Sequence, residues 1–241
     1  MKKSKKIVIA TICTVAVLLV AGLLFLFLKL IPEKRSEREW AKQIEEYYNA
    51  KISQYREENE KYEDYEIDVA FLGDSLTDGY DVAKYFPQYK TANRGISGET
   101  TVGLEARLDV SVYQLKPKVA TLLIGANNMD TMMENYEDIL RGFEENIPDT
   151  KIVIISLTSM SGEWGKKNHL AAYNNVRIKL LAEKYGYEFV DMYSALMNPE
   201  TGEIYDEYTT DGGHLTSAGY EVFTRELTPV LDSLLNKNNT D

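Results

Sequence analysis

From residue 66 onward, short apolar runs alternate with helical patterns, and this alternation constrains the fold more than any other feature. "IDVAFLG" (67–73), "KVATLLIG" (118–125), "TKIVIISL" (150–157) and "YEFVDM" (187–192) read as strands buried on both faces, with a further short strand near residues 89–93. Between and after them lie "YEDILRGFEENI" (136–147), "HLAAYNNVRIKLLAEKYG" (169–186, with Gly186 as its C-cap) and "TSAGYEVFTRELTPVLDSLLN" (216–236), which read as helices. Strands alternating with helices predict a three-layer α/β domain with a parallel sheet over residues 66–241.

The N-terminal part has a different character. Residues 7–28 carry no charge, and as a helix they would reach roughly 33 Å, enough to cross a bilayer core of about 30 Å. A cleaved signal would have a shorter apolar region and a small-x-small cleavage site. Here the run ends in large residues, "LFLFLKLIP". The expectation is a basic tail at 1–6 and an uncleaved transmembrane signal anchor at 7–31. The basic tail favours an N-in orientation, although Lys29, Lys34, Arg35 and Arg38 flank the other end. Residues 32–65 then read as a helical stalk, because Trp40, Ile44, Tyr48, Ile52 and Tyr55 recur at helical spacing; a short dimerising coil is the other reading of that stripe. Cys13, the only cysteine, lies inside the apolar run and can form no internal disulfide.

Charge narrows the partners. Residues 1–38 hold eight Lys/Arg against two Asp/Glu, so with a whole-chain charge of −11 the remainder carries −17. Such a domain repels polyanions, which argues against nucleic acid.

In open parallel sheets, sites form beyond the carboxyl ends of the strands. Four segments converge there: Ser75 after the first strand, "NRGISGETT" (93–101), "GANN" (125–128) and "TDGGHLTSAGY" (210–220). A serine hydroxyl attacks an ester only when a base removes its proton. His214 is the candidate base, since histidine ordinarily titrates near pH 6.5. Asp211, three residues earlier, is placed to fix the imidazole tautomer. The backbone N–H groups of Ser75 and Gly98 and the side-chain amide of Asn127 are candidate oxyanion donors, with glycine at 98 allowing a close backbone approach. The chain has two histidines; His169 begins a helical pattern and reads as a solvated helix-end residue. Two histidines and one cysteine inside the apolar run do not make a structural zinc site. Asp74 reads as structural and pointing away from the nucleophile, while Tyr80 and Trp164 read either as pocket lining or as packing.

These blocks resemble those of the GDSL, or SGNH, hydrolase family. "GDSL" (73–76), "GISGET" (95–100), "GANN" (125–128) and "DGGHLT" (211–216) follow the family order. The second block is most similar to that of the platelet-activating-factor acetylhydrolase-like branch. The resemblance implies a flavodoxin-like α/β/α sandwich and a serine esterase that needs no metal or cofactor. It implies a Ser75–His214–Asp211 triad and an oxyanion hole of Ser75, Gly98 and Asn127. Asn128 departs from the family's usual aspartate, which puts a loop brace in question but not the oxyanion donor. The expected enzyme is a membrane-anchored esterase with its catalytic domain outside the cytoplasm, acting on short-acyl esters of small molecules or glycans. A lysophospholipase or lipase-type acylhydrolase is one alternative. A catalytically idle domain that binds glycan or protein through the same cleft is another.

Overall fold

The computed structural model describes residues 2–26 and 31–236, which fall into two compact units, Met1–Lys51 and Ile52–Asp241. The first holds α1 (Lys2–Phe25) and most of α2 (Ile31–Asn59). The expected transmembrane anchor at 7–31 is not found: among the described residues, no helix is long and apolar enough to cross a membrane. Residues 27–30 of that stretch lie outside the described residues.

The second unit begins at Ile52, before the boundary expected at residue 66. The physical reason is how the stripe along α2 divides. Trp40 and Ile44 are exposed, whereas Ile52 and Tyr55 are buried. Tyr55 Oη donates to the Gly95 carbonyl (2.7 Å), and Asn59 Nδ2 donates to the Val110 carbonyl (2.7 Å). The last turns of α2 therefore belong to the α/β unit rather than to a spacer.

The sheet is parallel throughout, in the order β2-β1-β3-β4-β5. Its strands are β1 (Val69–Gly73), β2 (Thr91–Gly95), β3 (Val119–Leu123), β4 (Lys151–Ile155) and β5 (Glu188–Val190). All five residues of β1 and of β3 are buried, as expected for strands covered on both faces. The order is that of flavodoxin-like doubly wound folds. The chain moves from β1 to β2 in one direction and then back past β1 to β3. Right-handed crossovers consequently place helices on both faces.

Side-chain contacts sort these helices. The short α3 (Ser75–Asp78) and α4 (Val82–Tyr85) share a face with the C-terminal α10 (Ser217–Asn236), where the Tyr80 ring stacks on Tyr220 at 4.7 Å. The opposite face carries α5 (Thr101–Ala106), α6 (Tyr136–Asn146) and α8 (Asn168–Tyr185). There Lys184 pairs with Glu137, and Tyr187 Oη donates to the Leu140 carbonyl. The single turns α7 (Gly162–Gly165) and α9 (Met192–Leu196) complete the unit. Reversal of direction between β1 and β3 opens a crevice at their carboxyl ends, and the candidate site lies there.

Candidate active site

Ser75 follows β1 directly and begins α3. The turn that carries it has no space to spare. A Cβ on Gly73 would stand 2.2 Å from Thr77 Oγ1 and 2.4 Å from the Leu123 carbonyl, so only glycine fits at the strand end. Asp74 caps α3 by accepting the Leu76 N–H at 3.1 Å.

The histidine arrives from the loop before α10. Asp211 Oδ1 accepts the N–H groups of Gly213 (2.9 Å) and His214 (2.8 Å), folding the loop into a tight turn. The His214 carbonyl in turn accepts from the Thr210 N–H (2.9 Å) and Thr209 Oγ1 (2.8 Å). Asp211 Oδ2 lies 2.8 Å from His214 Nδ1, and His214 Nε2 lies 3.0 Å from Ser75 Oγ. The hydrogen bonds from His214 hold the Asp211 carboxyl well below its usual range, at about 2. An ionised carboxylate only accepts, so Nδ1 is the donor to it. That leaves the lone pair of Nε2 facing the Ser75 hydroxyl. Ser75, His214 and Asp211 are thus brought together as one hydrogen-bonded relay, partly open to solvent.

Asn127 sits on a single 3₁₀ turn after β3 (Ala126–Asn128) and shares a cavity with Ser75 and His214. One of its amide N–H groups donates to the Glu99 carbonyl at 2.9 Å, which fastens this turn to the loop after β2. Gly98 lies on that loop, exposed, with φ +80°. A Cβ there would meet nothing within 4 Å, so it is the left-handed backbone rather than crowding that requires glycine. Gly98 is not among the residues lining the cavity. Asn128 braces the loop: Oδ1 accepts the Thr101 N–H (3.2 Å), and Nδ2 donates to Thr101 Oγ1 (2.9 Å).

A buried guanidinium ties these loops from below. Arg107 Nε pairs with Glu99 Oε2 at 2.8 Å, and its other nitrogens donate to the carbonyls of Gly73 (3.1 Å) and Arg94 (2.9 Å) and to Ser111 Oγ (2.8 Å). One side chain therefore joins the ends of β1 and β2 to the segment that holds Asn127.

The structure resolves two readings and extends a third. Asp74 has the structural role of capping α3, and it is also among the residues around the cavity that holds Ser75. It is buried, its Oδ2 has no hydrogen-bond partner, and burial pushes its carboxyl up to about 6. Trp164 lines the cavity, whereas Tyr80 is core packing against Tyr220 and edge-on to Phe71. His169 is exposed at the start of α8. The remaining cavity walls are partly signalled by the sequence: Leu76, Ala126 and Gly213 lie inside the motif blocks, and Thr158 and Met160 lie on the irregular stretch 158–169 after β4, which by its length is the candidate to shape the pocket. Among the described residues, no group of His, Cys, Asp and Glu is arranged to hold a metal ion.

Comparison with known proteins agrees with the geometry. The pattern of the GDSL-like Lipase/Acylhydrolase family matches residues 71–222. The chain belongs to that family. No curated protein matches it. Among solved structures, one described as a platelet activating factor from Streptococcus pneumonia is 26% identical with a TM-score of 0.73, covering 82% of this chain and 99% of that one. A GDSL-like lipase from Bacteroides thetaiotaomicron is 22% identical (TM-score 0.67; 76% and 97% covered). Axe2, an acetylxylan esterase from Geobacillus stearothermophilus, is 19% identical (TM-score 0.58; 70% and 95% covered). As a member of the family the chain is a serine ester hydrolase, and it shares the parallel α/β fold with all three neighbours.

Proposed function

We propose that Ser75, His214 and Asp211 hydrolyse short-acyl carboxylic esters, acetyl esters foremost, through an acyl-enzyme. The relay from Asp211 through His214 to Ser75 carries this reading. Ser75 Oγ attacks the ester carbonyl carbon while Nε2 takes its proton. The oxyanion is held by the N–H groups of Ser75 and Gly98 and by the second N–H of the Asn127 amide. His214 then returns the proton to the departing alcohol, and water releases the acid by the same steps in reverse.

Three observations favour acetyl groups on carbohydrate over long-chain lipid. The cavity beside Ser75 is ≈ 40 Å³. The chain beyond residue 38 carries −17, which disfavours phosphate-rich surfaces. One structural neighbour is an acetylxylan esterase. A cleft that only bound glycan or protein would have no use for the ordered tautomer of His214.

The uncharged run at 7–28 with lysines before it supports a membrane-anchored form with the hydrolase domain outside the cytoplasm. Retention in the pellet after carbonate washing of cell membranes is expected, and recovery of the chain in the wash would overturn the anchoring.

For the chemistry, a fluorophosphonate probe is expected to label the wild-type chain at Ser75. Ser75→Ala is expected to lose label and to lower turnover of an activated acetyl ester by about 10⁴-fold or more, with its circular dichroism unchanged. A variant that keeps a tenth of the wild-type rate would remove Ser75 from the mechanism.

A further inference from the structure

The cavity beside Ser75 has polar and apolar walls. Ser75, His214 and Asn127 give it reactive groups, while Leu76, Met160 and Trp164 give it apolar wall. Its volume is ≈ 40 Å³. A single water needs about 10–15 Å³, so the space suits a group as small as acetyl better than a longer chain. Of the two halves of an ester, the small acyl group matches it, with the alcohol left toward solvent.

Its apolar walls are not equivalent. Leu76 (6% exposed) and Met160 (4%) belong to the buried core, whereas Trp164 is 41% exposed. Trp164 sits on the single turn α7, outside the core, and its indole lies on the loop of the relay. A Cβ on Gly213 would stand 3.1–3.2 Å from the Trp164 ring atoms. The segment carrying Trp164 is tied to the same loop, because the Ser161 N–H donates to the Gly212 carbonyl at 2.9 Å. At its other end, Asn168 Oδ1 accepts the Met160 N–H (3.0 Å) and its Nδ2 donates to the Met160 carbonyl (2.8 Å). The segment is thus fastened to the relay loop at one end and to Met160 at the other, with the partly exposed Trp164 side chain at the cavity between them.

We infer that Trp164 is the specificity-determining residue for acyl length, closing the acyl site to chains longer than acetyl. This rests on the ester-hydrolase reading above and extends it to one residue that takes no part in bond making. Removing the indole opens the site outward, where a longer chain can extend, without hollowing the core.

The test uses the full chain and two series of activated esters. One keeps p-nitrophenol and varies the acyl group through acetyl, butyryl and hexanoyl; the other keeps acetyl and varies the alcohol. Wild type is expected to favour acetyl over butyryl in kcat/KM. Trp164→Ala is expected to shift the butyryl-to-acetyl ratio upward by about 10–100-fold, the discrimination available from one or two methylenes in an apolar site. Trp164→Phe, which retains a ring, is expected to fall between the two. The alcohol series is expected to keep its wild-type ratios in both variants. A butyryl-to-acetyl ratio that moves less than about threefold in active Trp164→Ala, well below that range, overturns the assignment. So does a change confined to the alcohol series. If wild type turns over no ester in either series and takes no fluorophosphonate label, the ester-hydrolase reading itself fails. If wild type is active and only the chain-length ratio stays fixed, that reading stands and Trp164 is excluded.

Discussion

Asp74 and Asp211 are the same residue in the same site, and their surroundings drive them in opposite directions. Asp211 is half exposed and accepts three hydrogen bonds from its own turn and from the imidazole, which hold its carboxyl down at about 2. Asp74 is buried beside the nucleophile, accepts one backbone N–H, and leaves its second oxygen unpartnered, so desolvation lifts it to about 6. The difference lies in the hydrogen bonds made to each charge: the relay carboxylate receives three, the carboxylate beside serine one. One aspartate is charged at every working pH; the other carries a burial cost whenever it is charged.

The largest way to break this contrast is Asp211→Asn. An asparagine keeps Oδ1 for the two backbone N–H groups but places an amide donor against Nδ1. The imidazole then turns to the tautomer with hydrogen on Nε2, which no longer accepts from Ser75. A fall in kcat of about 10³–10⁴-fold is expected, with fold and KM retained. Because Asp211 is held at about 2, a loss of rate on acidification from pH 7 to 4 would not be its titration. Retention of more than a tenth of the rate in Asp211→Asn would mean that the turn, and not the charge, orients His214.

The next effect is at Asn127. One of its N–H groups is committed to the Glu99 carbonyl, so the amide is held in place before substrate arrives. Asn127→Ala is expected to lower kcat by about 10²–10³-fold with KM little changed, as for a donor that acts on developing charge. A proportional rise in KM with kcat preserved would instead make Asn127 a loop tether.

Asp74→Asn sharpens the other side of the contrast, and its readout is stability. The carboxyl ionises at about 6 when folded against about 3.9 unfolded, so between those pH values the folded state holds a proton that the unfolded state has lost. Folded stability therefore falls as pH rises from about 4 to 6, and the full cost persists above that. Asparagine still accepts the Leu76 N–H through Oδ1 and carries no charge. The variant is expected to be more stable than wild type at pH 8, by roughly 1–3 kcal/mol, and equal to it near pH 4. Denaturant melts at the two pH values check this; equal midpoints at pH 8 would show that Asp74 is not buried as a charge.

Much of this arrangement is legible in the sequence, because buried parallel strands must be apolar and catalytic residues must follow them. β1, β3 and β4 are such runs. β2 is not: "TANRG" offers only Ala92 as an apolar residue, and its fourth position holds Arg94, fully buried. That burial is possible because Arg94 pairs with Glu58 and donates to Asn59 Oδ1 (3.1 Å) beneath the last turns of α2, with its guanidinium 4.6 Å from the Tyr55 ring centroid. A short strand near residues 89–93 was expected, but its run to Gly95 through a buried arginine and the early start of the domain at Ile52 were hidden together, since each is explained only by contact with the other. A periodic stripe such as Trp40–Tyr55 states that a helix has an apolar face but not which turns of it are covered. The relay was readable from Ser75, Asp211 and His214 as a pattern. The opposite environments of the two aspartates were not, because burial at Asp74 is set by residues distant in sequence.

The smallest effect separates brace from donor at the asparagine pair. Asn128 stands where the family usually has aspartate, and the structure supplies a reason for the amide. Its Oδ1 accepts the Thr101 N–H, and its Nδ2 donates to Thr101 Oγ1; that hydroxyl has one hydrogen and already donates it to Asn135 Oδ1 at 2.7 Å. In Asn128→Asp the first bond survives. The second becomes a carboxylate oxygen facing a hydroxyl whose hydrogen is in use, so Thr101 must desert either the new carboxylate or Asn135. One hydrogen bond is lost, which corresponds to about 1 kcal/mol of stability. Asn127 is untouched, because its tether runs to Glu99 and not to Thr101. A kcat within a few-fold of wild type is therefore expected, against the hundredfold loss at Asn127. Adding Asn135→Asp should compound the loss, since two carboxylates then compete for one hydroxyl hydrogen, while Asn135→Ser beside Asn128→Asp should relieve it. Equal kinetic damage from Asn127→Ala and Asn128→Asp would show instead that the two asparagines act on the substrate as a unit.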